Sequence, residues 1–135
     1  MGRKLFCEIS PFTYWLSEQK NILQRHLADA FGHHTFACKK SDEKLPHLVY
    51  GHQSVIRRNL KGVDRTLQEN KAVNLSLAAP KVNGVLICTG ETFSFWKLVG
   101  KSTASKGFKE GLTISNGRAT SGIGGGMCQF TNLIH

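Results

Sequence analysis

The stretch GIGGGMCQ, residues 122–129, places a cysteine closely behind a run of three glycines. Gly124, Gly125 and Gly126 disfavour both helix and strand, because a backbone without Cβ loses the most entropy on ordering. MCQFTNLIH then reads as a helix, which puts Cys128 in its first turn. Unpaired N–H groups and the macrodipole favour an anion there, and the thiolate is the reactive form of cysteine. The backbone N–H groups of the three glycines are candidate donors to an oxyanion if Cys128 attacks a carbonyl. Gln129 adds an amide that orients a substrate or braces the loop. The chemistry these residues point to is thiol-dependent acyl transfer or hydrolysis on a peptide-like substrate.

A cysteine nucleophile needs a base within hydrogen-bond reach. His135 shares a helix face with Cys128, but seven residues of helix rise roughly 10.5 Å, too far for direct contact. A base would have to come from His33, His34, His47 or His52, or from residues beyond 135. Two other readings stay open. The bare N–H groups could capture a carboxylate or phosphate without catalysis, or the loop is structural and Cys128 packs as a small hydrophobe. Nucleotide signatures are absent: Met127 stands where G-x-G-x-x-G needs its last glycine, and no G-x-x-x-x-G-K-[ST] occurs. Neither His33, His34 and Cys38 nor His47 and His52 has a recognised ligand spacing. No metal and no cofactor are expected.

The elements that must position this site come from a chain of 135 residues with a soluble globular composition, 40% hydrophobic and 20% charged. Its formal charge of +9 favours anionic partners, such as nucleic acid, acidic membrane surfaces, or a peptidoglycan precursor or other anionic small molecule. Residues 1–62 carry ten Lys/Arg against five Asp/Glu, and residues 63–135 eight against four, so the excess is spread and forms no basic block. Without a nucleic-acid motif, nucleic-acid binding is not expected. The four cysteines form no C-x-x-C pair and no disulfide scaffold. Glu8 interrupts the N-terminus before a signal-peptide core can form, and no apolar run approaches the roughly 20 residues of a membrane span. The expected location is the cytoplasm, with reduced thiols.

The pattern is that of an α+β protein. Ser10-Pro11 starts a long amphipathic helix carrying Trp15, Leu16, Ile22, Leu23 and Leu27, and Gly32 ends it. Residues 33–62 read as irregular, with short strands at Leu48–Tyr50 and Ser54–Ile56. Asp64 caps a second helix near 64–79, with Leu67, Ala72, Leu75, Ala78 and Ala79 as its apolar positions and Pro80 as its end. A strand at VLIC, a Thr-Gly turn and an aromatic segment follow, with Phe93 and Phe95 on one buried strand face. A strand at Leu112–Ser115 and an Asn-Gly turn lead to the Gly-rich loop and terminal helix. Two regions are expected: 1–62, the N-terminal helix and irregular part, and 63–135, the N-terminal part of an incomplete domain. FTNLIH is an apolar, uncapped end, which predicts a longer protein.

NLSLAA, then NG.LI..GETFSFW, then G...GL.I.NG, then GGGMCQ..NL occur in that order within residues 64–135. This combination resembles the VanW family, named from vancomycin-resistance gene clusters, and FCEISPFTYWLSEQKN resembles the N-terminal helix of its shorter members. The resemblance implies an association with glycopeptide resistance or cell-wall metabolism rather than a defined reaction. It makes the GGG.CQ segment the family's hallmark, here Gly124, Gly125, Gly126, Cys128 and Gln129. It also implies that members continue past this segment through further His and Asp residues.

Overall fold

The structure is a computed structural model that describes residues 5–57, 64–115 and 118–135. The chain falls into two compact units, Met1–Thr35 and Phe36–His135. The first is built on helix α1, Pro11–Phe31. Ser10 caps it through a reciprocal box: its Oγ accepts from the Thr13 N–H at 3.2 Å, and its own N–H donates to Thr13 Oγ1 at 3.0 Å. Together with Pro11 in the first turn, this sets the start as the sequence predicts. The apolar face also forms, but no residue of α1 is buried; Trp15 is 52% and Leu23 59% exposed.

The boundary falls within strand β1 (Thr35–Phe36), and the second unit holds helix α2 (Arg65–Val82), strand β2 (Glu91–Thr92), helix α3 (Phe95–Val99), strands β3 (Glu110–Ser115) and β4 (Arg118–Ile123), and helix α4 (Met127–Ile134). β1 and β2 form one small sheet and β3 and β4 an antiparallel hairpin, so the α+β expectation holds. Ala78, Val99 and Phe108 are buried together, and Leu77, Val82, Phe95, Met127 and Phe130 pack against them. Phe95 and Phe130 meet edge to face at 5.7 Å, which ties α3 to α4. No helix among the described residues is long and apolar enough to cross a membrane.

Several local expectations change. α2 runs through Pro80 to Val82 instead of stopping before it. Val82 reaches the core and Lys40 Nζ donates to the Pro80 carbonyl at 2.7 Å, so tertiary contacts hold a last turn that the proline alone disfavours. The VLIC strand shrinks to a single bridge between Lys40 and Val85, since a strand extends only as far as a partner runs beside it. No strand forms at Leu48–Tyr50 or Ser54–Ile56; Leu48 and Val49 are 87% and 95% exposed, with no sheet to join. The Thr89–Gly90 turn is present. Phe93 and Phe95 do not share a strand, because Ser94 between them caps α3. The Asn116-Gly117 turn and the boundary at 62/63 lie outside the described residues.

α2 departs furthest from its apolar pattern. Its buried residues are Gln68, Lys71, Asn74 and Ala78, so three polar side chains at three-residue intervals face inward.

Candidate functional site

Asn74 organises the loop that leads to Cys128. It is completely buried, and its carboxamide is bonded at both ends. Its Nδ2 donates to the Lys109 carbonyl at 2.9 Å and to the Gly125 carbonyl at 3.0 Å, while its Oδ1 accepts from the Lys109 N–H at 2.7 Å. One side chain on α2 thereby joins the entrance of β3 to the middle of the glycine run. Gly124 adds a backbone bond from its N–H to the Lys109 carbonyl at 3.0 Å.

This folding-back explains two of the glycines. A Cβ on Gly125 would run into the backbone of Gly111 on β3. Gly126 has φ +98°, the left-handed region that side chains rarely enter, and a Cβ there would strike the Lys71 stem. The glycine run is a place where strand and helix pack closely against backbone.

Gly126 is the N-cap of α4, so Cys128 and Gln129 lie in its first turn as expected. Of the three predicted N–H donors, those of Gly124 and Gly125 are instead used within the fold, donating to the carbonyls of Lys109 and Gly122. That of Gly126, like those of Cys128 and Gln129, has no hydrogen-bond partner among the described residues. Cys128 is exposed. Gln129 is half-buried and braced at both ends of its amide. Lys71 Nζ donates to its Oε1 at 3.2 Å, and its Nε2 donates to Ser54 Oγ at 2.9 Å and to the Val55 carbonyl at 3.4 Å. Lys71 itself is only 6% exposed. A buried cation thus sits against an amide in the first turn of α4, whose helix dipole also favours negative charge.

Two histidines of the second unit lie at other points of it. Among the described residues no hydrogen bond joins the Cys128 sulfur to an imidazole. His135 lies at the far end of α4, where it lines a pocket of about 200 Å³ with Phe93, Phe95, Thr131 and Ile134. His52 stacks on Tyr50, with ring centroids 6.5 Å apart. The arrangement therefore brings Cys128, Gln129 and the Gly126 amide together, with no imidazole hydrogen-bonded to the sulfur among the described residues.

Sequence reasoning missed Lys71, Asn74, Gln68 and Ser54. The first three had a faint signal in their three-residue spacing on one helix face, which an apolar template passes over. Ser54 had none, because its partner is 75 residues away.

Comparison with known proteins bears on the same segment. The family described as VanW like protein matches residues 70–135. The chain is 37% identical to the Vancomycin B-type resistance protein VanW of Enterococcus faecalis over 134 residues, 99% of this chain and 49% of that protein. It is 35% identical to the Uncharacterized protein YoaR of Bacillus subtilis over 66 residues, 49% of this chain and 22% of that protein. The chain thus spans about half the length of the first relative and less of the second. No solved structure matches it. The family match runs from within α2, past the Asn74 anchor and the glycine loop, to the end of α4, so it is residues 70–135 that match the VanW family.

Proposed function

We propose that this chain carries an anion-binding site of a vancomycin-resistance-associated protein directed at cell-wall metabolism. The site is the loop–helix junction at Gly126–Gln129, and its ligand is an anionic group of a peptidoglycan precursor or a similar small molecule. One observation carries the reading: the buried Lys71 ammonium lies 3.2 Å from Gln129 Oε1, in a first turn where three N–H groups point to no partner among the described residues. Cation, dipole and free donors act in the same direction. The printed name of the Enterococcus relative supports the resistance context.

The test is thermal unfolding of the chain with acetate or inorganic phosphate. The wild type is expected to gain stability with rising anion at constant ionic strength. Lys71→Met, which keeps the stem beside Gly126, should lose most of that gain, while Cys128→Ala keeps it. Equal anion responses in the wild type and Lys71→Met would overturn the reading.

A second reading, thiol-dependent acyl transfer or hydrolysis, is favoured by the exposure of Cys128 at the second position of α4. It predicts alkylation of Cys128 by iodoacetamide near neutral pH at least several-fold faster than that of the exposed Cys38 and Cys88. Equal rates at the three thiols would remove it.

A further inference from the structure

Gln68 is 7% exposed, and neither its Nε2 nor its Oε1 has a hydrogen-bond partner among the described residues. A buried carboxamide left dry is costly, and such groups in folded proteins are normally paired. The contrast with Asn74 on the same stripe of α2 is direct: that amide is bonded at both its oxygen and its nitrogen. Gln68 lies one turn before Lys71 on this face. Three residues of helix rise about 4.5 Å, close to one residue of extended peptide at about 3.4 Å. A carboxamide presents a donor and an acceptor side by side, the complement of the C=O and N–H of a peptide group.

We propose that Gln68 and Lys71 form a two-point subsite for the carboxyl end of a peptide or an N-acylated amino acid. The terminal carboxylate lies at Lys71 and the N–H groups of Gly126, Cys128 and Gln129, which have no partner among the described residues, and the amide before it pairs with Gln68. The proposal rests on the anion-binding reading and names its ligand class. Because the Gln68 amide atoms are closed to solvent, entry requires local opening around them. The 54–57 segment beside Gln129 has no regular secondary structure, and its described bonds are those from Gln129 to Ser54 and Val55 and an exposed pair between Arg57 and Glu69 at 2.9 Å. An arriving carboxylate competes with Gln129 Oε1 for the ammonium, which loosens the amide that holds Ser54.

The experiment titrates the ¹⁵N-labelled chain with acetate, N-acetylglycine and N-acetylglycinamide and follows affinities and the side-chain amide signals by NMR. N-acetylglycine is expected to bind roughly tenfold more tightly than acetate, a factor worth one good amide pairing. N-acetylglycinamide, without a carboxylate, should bind weakest. In Gln68→Leu the preference for N-acetylglycine over acetate should vanish while acetate still binds. If that variant does not fold, the wild-type Gln68 side-chain amide decides: it should move with N-acetylglycine and stay in place with acetate. Equal affinity for the two carboxylates, or a preference unchanged in Gln68→Leu, overturns the subsite and leaves the anion site standing. Binding of neither overturns both.

Discussion

Asn74 and Gln68 share one buried stripe of α2 and have opposite fates. Asn74 bonds both ends of its amide, while the Gln68 amide has no partner among the described residues. Removing a buried partner leaves its donors and acceptors dry, whereas removing an unpaired group relieves a penalty. Asn74→Ala is therefore expected to destabilise the second unit by roughly 2–4 kcal/mol, because the Lys109 peptide group and the Gly125 carbonyl lose their partner. Gln68→Leu should stabilise it by about 1 kcal/mol. Urea unfolding followed by tryptophan fluorescence measures both; Trp96 belongs to this unit. Opposite signs from two amides on one helix face would identify Gln68 as a residue kept at the expense of stability, a pattern common in binding sites.

At the scale of elements, α4 depends on what lies before it. No side chain caps it; its N-cap is Gly126 in the left-handed region, and the stretch before it is held down by Asn74 and by the backbone of β3. Gly126→Ala should therefore cost more than conformational strain alone. Gly90 supplies the control, since it too has positive φ, +83°, but a Cβ there meets nothing within 4 Å. Gly90→Ala is expected to cost about 1–2 kcal/mol, the penalty of left-handed backbone. Gly126→Ala should exceed it and weaken the anion response, because the new methyl displaces the Lys71 stem. Equal losses in the two variants would mean that the contact with Lys71 contributes nothing. α2 illustrates the same dependence on neighbours. Its final turn survives Pro80 because Val82 and Lys40 make contacts that the local sequence does not reveal.

For the whole molecule, the balance between core and surface sets the expected stability. Among the described residues the buried hydrophobics are Ala37, Ala78, Val99 and Phe108, whereas Leu48, Val49, Tyr50, Ile87 and Ile114 of the same unit are each more than half exposed. Hydrophobic burial is the main favourable term in folding, so a small core implies a small margin. The isolated 135-residue chain is expected to bind a dye such as ANS in its native state and to unfold over a broad, shallow transition. A sharp cooperative melt above the usual mesophile range of about 45–65 °C would contradict this.

The sequence by itself determined what short-range rules govern. Ser10, Pro11 and Gly32 delimit α1, Thr89-Gly90 forms its turn, the strand expected at Leu112–Ser115 forms within β3, and the apolar run after the glycines forms α4. Each depends on residues within a turn or two, where capping, φ preference and periodicity decide the outcome. The placement of Cys128 and Gln129 at the start of α4 was legible for the same reason. Only the tertiary structure decided which face of α2 turns inward, why Gly125 must be glycine, and that Lys71 meets Gln129 across 58 residues of chain. Such contacts arise from packing α2 against the hairpin and the loop that follows it. No local pattern encodes them, because the energy of burying Lys71, Asn74 and Gln68 is set by their neighbours in space.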